Sequence, residues 1–141
     1  MLNIRALEIN VSLEPKTYDI DFSGIVSNIV YVRWLEDLRL IWLETHFRPL
    51  SKLLEDGVCP VILRTQIDYK RALRISDKPS GRMWVSGYTP VKWIISAEIS
   101  AQGRTRAIAE QTGGFLDLST KQAVPMPDDL YRKMTEALAS T

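Results

Sequence analysis

The spacing of hydrophobic residues changes along the chain and predicts two kinds of element. Residues 5–13 (RALEINVSL) alternate between apolar and polar positions, which is typical of a half-buried strand. Over residues 28–47 the apolar positions recur at helical spacing, so we expect a long α-helix with Ser27 or Asn28 as its N-cap. A short helical turn that Gly57 closes should follow it.

The second half of the chain is dominated by strand patterns. Alternating segments rich in β-branched residues, separated by short turn signals, cover residues 60–73, 81–91, 92–102 and 105–119. The short connections between the last three predict an antiparallel meander. Residues 126–141 carry a weak helical pattern that is prone to fraying. A strand, a long helix and then a run of strands indicate an α+β domain, with one antiparallel sheet wrapped around a central helix.

Apolar side chains cover most of the circumference of the predicted long helix. They are Ile29, Val30, Val32, Trp34, Leu35, Leu38, Leu40, Ile41, Trp42, Leu43 and Phe47. A helix that is apolar on nearly all sides is usually buried on most of them, and one small sheet covers only part of it. We therefore expect the remaining apolar face to contact another subunit.

Composition narrows the classes of function. The 141 residues suit a single domain spanning residues 1–141, and the net charge of +1 offers no strong field for nucleic acid or an acidic membrane surface. No stretch approaches the roughly 18 apolar residues of a membrane helix, and the first ten residues do not resemble a signal peptide. We expect a cytoplasmic protein that binds neither nucleic acid nor membrane.

Few side chains are available for nucleophilic or metal chemistry. Cys59 is the only cysteine, which excludes an internal disulfide and a cysteine-rich zinc site. His46 is the only histidine and lies where the predicted helix ends, so a structural or merely exposed role is expected for it. We predict no metal site, and any chemistry should rest on carboxylates, hydroxyls, amides and the backbone.

The segment TYDIDFSGIVSNIVYVRWLEDLR (residues 17–39) places two acids before a glycine turn and a helix start. Asp21 has two interpretations from the residues alone. An aspartate before a glycine is often an ordinary turn residue. It can also be a carboxylate aimed at a ligand at the helix N-terminus, where unpaired N–H groups and the positive end of the helix dipole favour negative charge.

This segment resembles the signature of hotdog-fold acyl-CoA thioesterases, specifically the 4-hydroxybenzoyl-CoA thioesterase family. Members of that family carry the form D-x-D-x-x-G-[HI]-V-x-x-x-x-Y-x-x-[WF]-x-[ED]-x-x-R. The matching residues are Asp19, Asp21, Gly24, Ile25, Val26, Tyr31, Trp34, Glu36 and Arg39. Many members have histidine where this chain has Ile25, although some hydrolytic members also have isoleucine. The resemblance covers almost the whole chain and implies the hotdog fold.

The resemblance also implies roles for individual residues. The second aspartate of the motif is the family's catalytic carboxylate, which corresponds to Asp21; it would attack the thioester carbonyl or activate a water molecule. The backbone N–H of Asn28 would bind the oxyanion. No cofactor is expected, because coenzyme A is part of the substrate. The expected substrate contacts are Gly24, Ile25, Val26, Tyr31, Thr65, Gln66 and Lys92.

The resemblance further implies a homodimer or homotetramer with sites between subunits, acting on an acyl-CoA or acyl-carrier-protein thioester. The acyl group, the carrier and the choice between dimer and tetramer stay open at this point. An alternative is a non-catalytic acyl-CoA-binding module of the same fold, which would not need a reactive Asp21. A hotdog-fold dehydratase is disfavoured because its usual histidine is missing near Asp21, and His46 lies at the far end of the helix.

Overall fold

The computed structural model describes residues 5–139 as three helices, one short 3₁₀ turn and six strands. The helices are α1 (Asn28–His46), α2 (Leu50–Glu55) and α3 (Asp128–Ala139), and the 3₁₀ turn is Thr17–Asp19. The strands are β1 (Ile9–Ser12), β2 (Val58–Tyr69), β3 (Ser80–Tyr88), β4 (Trp93–Ala101), β5 (Arg104–Asp117) and β6 (Ala123–Val124). None of the helices in this part of the chain combines the length and apolarity needed to cross a membrane.

All six strands belong to one antiparallel sheet in the order β1-β3-β4-β5-β2, with β6 paired to β5. The predicted meander is confirmed as β3, β4 and β5. The strand that precedes it in sequence, β2, pairs with β5 and not with β3, so the connection 70–79 runs across the end of the sheet. Among the described residues, the outer edge of β2 has no strand partner.

The long helix packs on one face of the sheet. Leu35, Leu38 and Trp42 lie on the buried side of α1, in one cluster with Met83 and Ile95 from the sheet. Each such side chain contributes about 1.5–3 kcal/mol when it leaves water. The predicted α+β hotdog architecture, a sheet wrapped around a central helix, is confirmed.

The opposite side of α1 carries exposed apolar side chains. Ile29, Val32 and Leu40 are 66%, 47% and 38% exposed, and they follow one another at helical spacing. The edge strand β2 adds Ile62 and Leu63, which are 38% and 60% exposed. The prediction that α1 is apolar on more sides than the sheet covers is therefore correct; the second subunit stays a prediction.

The C-terminal helix is better anchored than its weak pattern suggested. Leu130 and Met134 of α3 are both 2% exposed and belong to the main core. The Tyr88 hydroxyl donates to Thr135 Oγ1 at 2.8 Å, and the Tyr131 ring lies against that of Tyr88. The expectation of fraying is wrong for residues 128–139, because four-residue spacing places two large side chains on one buried face.

Candidate active site

The two predicted site elements, the acidic turn and the helix start, are joined by a tight loop. Asp21 N–H donates to the Ile25 carbonyl at 2.9 Å, and Gly24 N–H donates to the Asp21 carbonyl at 3.0 Å. Gly24 has φ +82°, a conformation that side chains with a Cβ adopt at a cost. The glycine therefore permits the loop to close and return the chain to the start of α1.

The Asp21 carboxylate is held through one of its two oxygens. Oδ1 accepts from the Ser23 N–H at 2.9 Å, the Ser23 hydroxyl at 2.6 Å and the Ile25 N–H at 3.4 Å. The hydrogen bond from the Ser23 hydroxyl is the main reason that the pKa of Asp21 lies below its usual value. Among residues 5–139 no donor contacts Oδ2. Asp21 is thus an ionised, oriented carboxylate with one oxygen available.

The start of α1 offers unpaired hydrogen-bond donors. Ser27 is the N-cap, but its side chain makes no cap hydrogen bond, contrary to the predicted capping role. Within the described chain, the N–H groups of Asn28 and Ile29 have no acceptor, whereas that of Val30 donates to the Ser27 carbonyl at 3.0 Å. Two free amides at the positive end of a 19-residue helix form a site that attracts negative charge.

Asp19 has a structural position in this loop. Its side chain is 7% exposed, and its Oδ2 accepts from the Lys16 N–H at 2.9 Å. Its backbone carbonyl accepts from the Ser27 N–H at 2.8 Å, which fixes the residue before the helix. Asp19 therefore orders the turn, while Asp21 faces the open side.

The other motif residues lie beneath the helix start. Val26 and Tyr31 are 2% and 3% exposed, and the Tyr31 ring makes edge contacts with Trp34 and Tyr69. Ile25 is partly exposed next to Asp21 and Gly24 in the loop. The predicted residues Asp21, Gly24, Ile25 and Asn28 therefore come together, whereas Val26 and Tyr31 support them from the core.

Thr65 and Gln66 do not share a face, because successive residues of a strand point to opposite sides of the sheet. Thr65 lies on the side of α1, where its hydroxyl accepts from Gln111 Nε2 at 2.9 Å. Gln66 lies on the outer face, in a shallow groove that Trp84 and Ser96 also line. The two side chains therefore do not reach one site within a single chain, and the expectation that this strand contributes to a partner's site stays a prediction.

Lys92 is exposed in the turn before β4, where its N–H donates to Thr89 Oγ1 at 2.9 Å. The helix start packs against the other end of β4, through contacts of Val26 with the cluster that contains Ile99 and Ala101. Seven or more strand residues span about 25 Å. Lys92 therefore does not join Asp21 within one chain, and a shared site would need a second copy.

The connection 70–79 places other basic residues near the helix start. Leu73 of this connection accepts from the Val26 N–H at 2.8 Å. Arg106 of β5 holds this connection in place: it donates to the Ala72 carbonyl at 2.6 Å and forms an ion pair with Asp77 at 3.6 Å. The exposed basic residues on the connection are Lys70, Arg71, Arg74 and Lys78. The sequence did not favour these residues over Lys92 as substrate contacts. Their position near the helix start follows from the order of the strands, which local patterns do not reveal.

A cavity of about 260 Å³ lies further along α1, between the helix, the start of β2, the sheet and α3. Its wall is mainly apolar, with one guanidinium from Arg39. Arg39 Nη1 donates to Gln111 Oε1 at 2.6 Å, so Arg39 bridges the helix to the sheet. Burial lowers the pKa of Arg39, with Glu36 at 4.0 Å acting in the opposite direction.

The single histidine and the single cysteine, residue types that often serve in catalysis or metal binding, lie outside the loop. His46 Nε2 is 3.1 Å from the Glu8 carbonyl oxygen, and its ring lies against Trp42. Cys59 lines the cavity and is free. Within residues 5–139, no three acidic, histidine or cysteine side chains lie close enough together to hold a metal ion.

An antiparallel sheet wrapped around one long helix is the architecture of the hotdog fold. Residues 15–134 match the model of the thioesterase-like superfamily, so the chain belongs to this family. The prediction of a hotdog-fold thioester hydrolase is confirmed at that level. No curated protein sequence matches the chain.

Solved structures share the fold at low sequence identity. A DHNA-CoA thioesterase from Staphylococcus aureus has TM-score 0.81 and 18% identity, with 94% of this chain and 89% of that chain covered. A 1,4-dihydroxy-2-naphthoyl-CoA thioesterase from Synechocystis has TM-score 0.81 and 14% identity, covering 92% and 96%. A Staphylococcus aureus protein solved in complex with CoA has TM-score 0.87 and 11% identity, covering 99% and 89%.

Proposed function

We propose that the protein hydrolyses an acyl-CoA thioester to a free acid and coenzyme A, with Asp21 as the reactive carboxylate. The observation that carries this proposal is the combination of an ionised carboxylate, with Oδ2 open, and the free N–H of Asn28 a few residues later. Hydrolysis of a thioester needs an attacking oxygen and stabilisation of the oxyanion. The loop that Gly24 closes supplies both from one short segment.

Two routes are consistent with this arrangement. Asp21 Oδ2 would attack the thioester carbonyl, expel the CoA thiolate and form an anhydride that water then hydrolyses. In the other route the carboxylate would remove a proton from water as the water attacks. In both, the carbonyl oxygen becomes negative next to the Asn28 N–H, where one donor is worth about 2.7–4 kcal/mol in other enzymes.

The complete site is proposed to lie between two copies of the chain. Strand β2 is 12 residues long, and its outer edge has no strand partner among the described residues. It carries the exposed apolar side chains Ile62 and Leu63. Antiparallel pairing of two such edges would satisfy the unpaired N–H and C=O groups and would bury these side chains. A second copy would also be the source of a Lys92 close to Asp21, as a homodimer or as half of a homotetramer.

Coenzyme A is the proposed carrier group. The structural neighbour solved with CoA supports this ligand, and the exposed cations of the connection 70–79 are suited to its phosphates. An acyl-carrier-protein thioester is the second substrate class.

Thiol release from short, medium, long, branched and aromatic acyl-CoAs tests the proposal. Wild type would be compared with Asp21→Asn, and with Asp37→Asn, which changes an exposed acid on α1 that lies outside the site. We expect turnover by wild type and Asp37→Asn, and a loss of about 10²-fold or more in Asp21→Asn, which is the size of a general-base contribution. Equal turnover by all three proteins would refute the role of Asp21.

One observation favours the alternative of a non-catalytic binding module. The three hydrogen bonds to Asp21 Oδ1 are those of an ordinary aspartate turn. Under this alternative, acyl-CoA would bind without thiol release, and Asp21→Asn, which keeps an acceptor oxygen, would bind it equally well. Isothermal titration with a non-hydrolysable thioether analogue of acyl-CoA distinguishes the two functions.

A further inference from the structure

Arg39 is a mostly buried cation whose only nearby carboxylate, that of Glu36, is largely exposed to solvent. Its side chain is 21% exposed, and its only ion pair among the described residues joins Nη2 to Glu36 Oε1 at 4.0 Å. The Glu36 side chain is 67% exposed, so solvent weakens this interaction. The guanidinium therefore keeps most of its capacity to bind an anion.

Neutral neighbours hold the guanidinium in place without compensating its charge. Gln111 is 2% exposed; its Oε1 accepts from Arg39 Nη1 at 2.6 Å, and its Nε2 donates to Thr65 Oγ1 at 2.9 Å. Because a guanidinium can only donate, Arg39 fixes Oε1 as the end of the amide that faces it, which leaves Nε2 to donate to Thr65. A chain of hydrogen bonds from β2 through β5 thus orients one cationic group on α1.

This oriented cation lies on the wall of the 260 Å³ cavity. The apolar residues around the cavity include Trp42, Leu43, Leu50, Met83, Trp93, Phe115 and Met134. Leu40 and Ile62 are each 38% exposed and also line it, so in a single chain the cavity opens between α1 and the edge of β2, where the second copy proposed above would lie against its mouth. Glu36 also lines the cavity, but its side chain is 67% exposed. An apolar chamber whose buried charged group is a fixed cation is complementary to an apolar molecule that ends in an anion.

We propose that this cavity binds a free carboxylic acid with a compact apolar body, its carboxylate on Arg39. The bound carboxylate would accept from the guanidinium inside the cavity and would replace Glu36, which turns to water. The apolar body would fill the space beside the indole and phenyl rings. This binding does not depend on hydrolysis, although the acid released from an acyl-CoA is a ligand of this class.

A matched pair of ligands separates charge from apolar contact. Octanoate and 1-octanol would each be titrated by protein NMR into wild type, Arg39→Met and Glu36→Gln, with Arg104→Met, at an exposed position at the start of β5, as a control. We expect Arg39→Met to weaken octanoate binding about tenfold or more and to change 1-octanol binding little. Glu36→Gln, which removes the competing carboxylate, should strengthen octanoate binding severalfold.

Cys59 gives a second readout at the same place. It is the only thiol in the chain, and it lines the cavity. Saturating octanoate should slow alkylation of Cys59 by iodoacetamide in wild type and in Arg104→Met. The same octanoate concentration should protect Arg39→Met much less.

The possible outcomes divide clearly. Tighter octanoate binding in Glu36→Gln, with Cys59 protected, supports the proposal even if Arg39→Met folds poorly. Absence of octanoate binding to wild type, or equal octanoate affinity in wild type and folded Arg39→Met, would overturn it. Since no thioester is present in either measurement, a failure here is distinct from a failure of the proposed hydrolysis.

Discussion

The Tyr69 hydroxyl donates a hydrogen bond to the backbone oxygen of Asn28 at 3.1 Å, and so joins the end of β2 to the first residue of α1. The Tyr69 ring also makes an edge contact with Tyr31 beneath the helix start. The residue that carries the N–H proposed to bind the oxyanion is therefore held from the sheet as well as from the loop. No feature of the local sequence around Tyr69 indicated this contact.

Removal of this hydroxyl tests whether the position of the helix start matters. Tyr69→Phe keeps the ring contact and loses the hydrogen bond, which should lower the free energy of unfolding by about 0.5–1.5 kcal/mol. We expect kcat to fall severalfold with little change in KM, because the oxyanion donor is less well held. Tyr18→Phe, at a 76% exposed position, is the control and should leave both values unchanged. The opposite pattern, an altered KM with unchanged kcat, would contradict this role.

The Ser23 hydroxyl should set the acid limb of the pH profile. Its hydrogen bond is the main cause that lowers the pKa of Asp21, so wild-type kcat/KM should stay constant until the pH falls below the usual range of an aspartate. Ser23→Ala removes this bond, raises the pKa of Asp21 and moves the loss of activity to higher pH. A profile of kcat/KM against pH for both proteins measures the shift.

The same change has a consequence for stability. A carboxyl whose pKa is lowered by folding stabilises the protein above its unfolded pKa, and this contribution is lost as the pH falls through the folded value. Ser23→Ala should therefore be less stable than wild type at neutral pH, with the difference shrinking in acid. In the activity profile, a loss of kcat/KM at the same pH in wild type and Ser23→Ala would show that Asp21 does not control the reaction.

Two glycines should respond to alanine to very different degrees. At Gly24 an added Cβ meets nothing within 4 Å, so the cost comes only from φ +82° and is about 1–2 kcal/mol. At Gly113 the Cβ would overlap the Trp93 ring and the Val61 carbonyl oxygen. We expect Gly24→Ala to fold with a modestly lower melting temperature, and Gly113→Ala to fail to fold. Comparable melting temperatures for both variants would refute this packing argument.

The exposed apolar stripe on α1 predicts an assembly. Wild type should sediment without a stable monomer at micromolar concentration. Val32→Glu places a charge in the stripe, where Val32 is 47% exposed, and should yield a folded monomer with strongly reduced turnover. Leu54→Glu, at a 41% exposed position on α2, is the control and should not change the sedimentation coefficient. A wild-type monomer that retains full activity would exclude a site between subunits.

Local patterns predicted the elements well, because each depends on neighbouring residues. The helix expected over 28–47 is α1 at Asn28–His46, and the glycine turn lies at Gly24 as expected. The grouping of Asp21 with Asn28 also followed from one short segment. These features depend only on local backbone conformation and helix geometry. The spacing of residue types along the sequence indicates both directly.

Long-range relationships were not available from the pattern. The pairing of β2 with β5 depends on a crossing of the sheet end, and this pairing decides that Thr65 meets Gln111. Arg39 and Gln111 are 72 positions apart, and no periodicity links them. Lys92 was expected to contact the substrate from its position in the family pattern, and strand order places it at the end of β4 away from Asp21 within one chain.

The free edge of β2 has a consequence for how the protein can be handled. A long strand with unpaired N–H and C=O groups and apolar side chains is a template on which other chains can extend a sheet. Arg64, in the middle of this edge, is the sort of charge that discourages such growth. Dilution or mutation that separates the subunits should therefore shorten the shelf life of the protein, and self-association would then serve as its protection against aggregation.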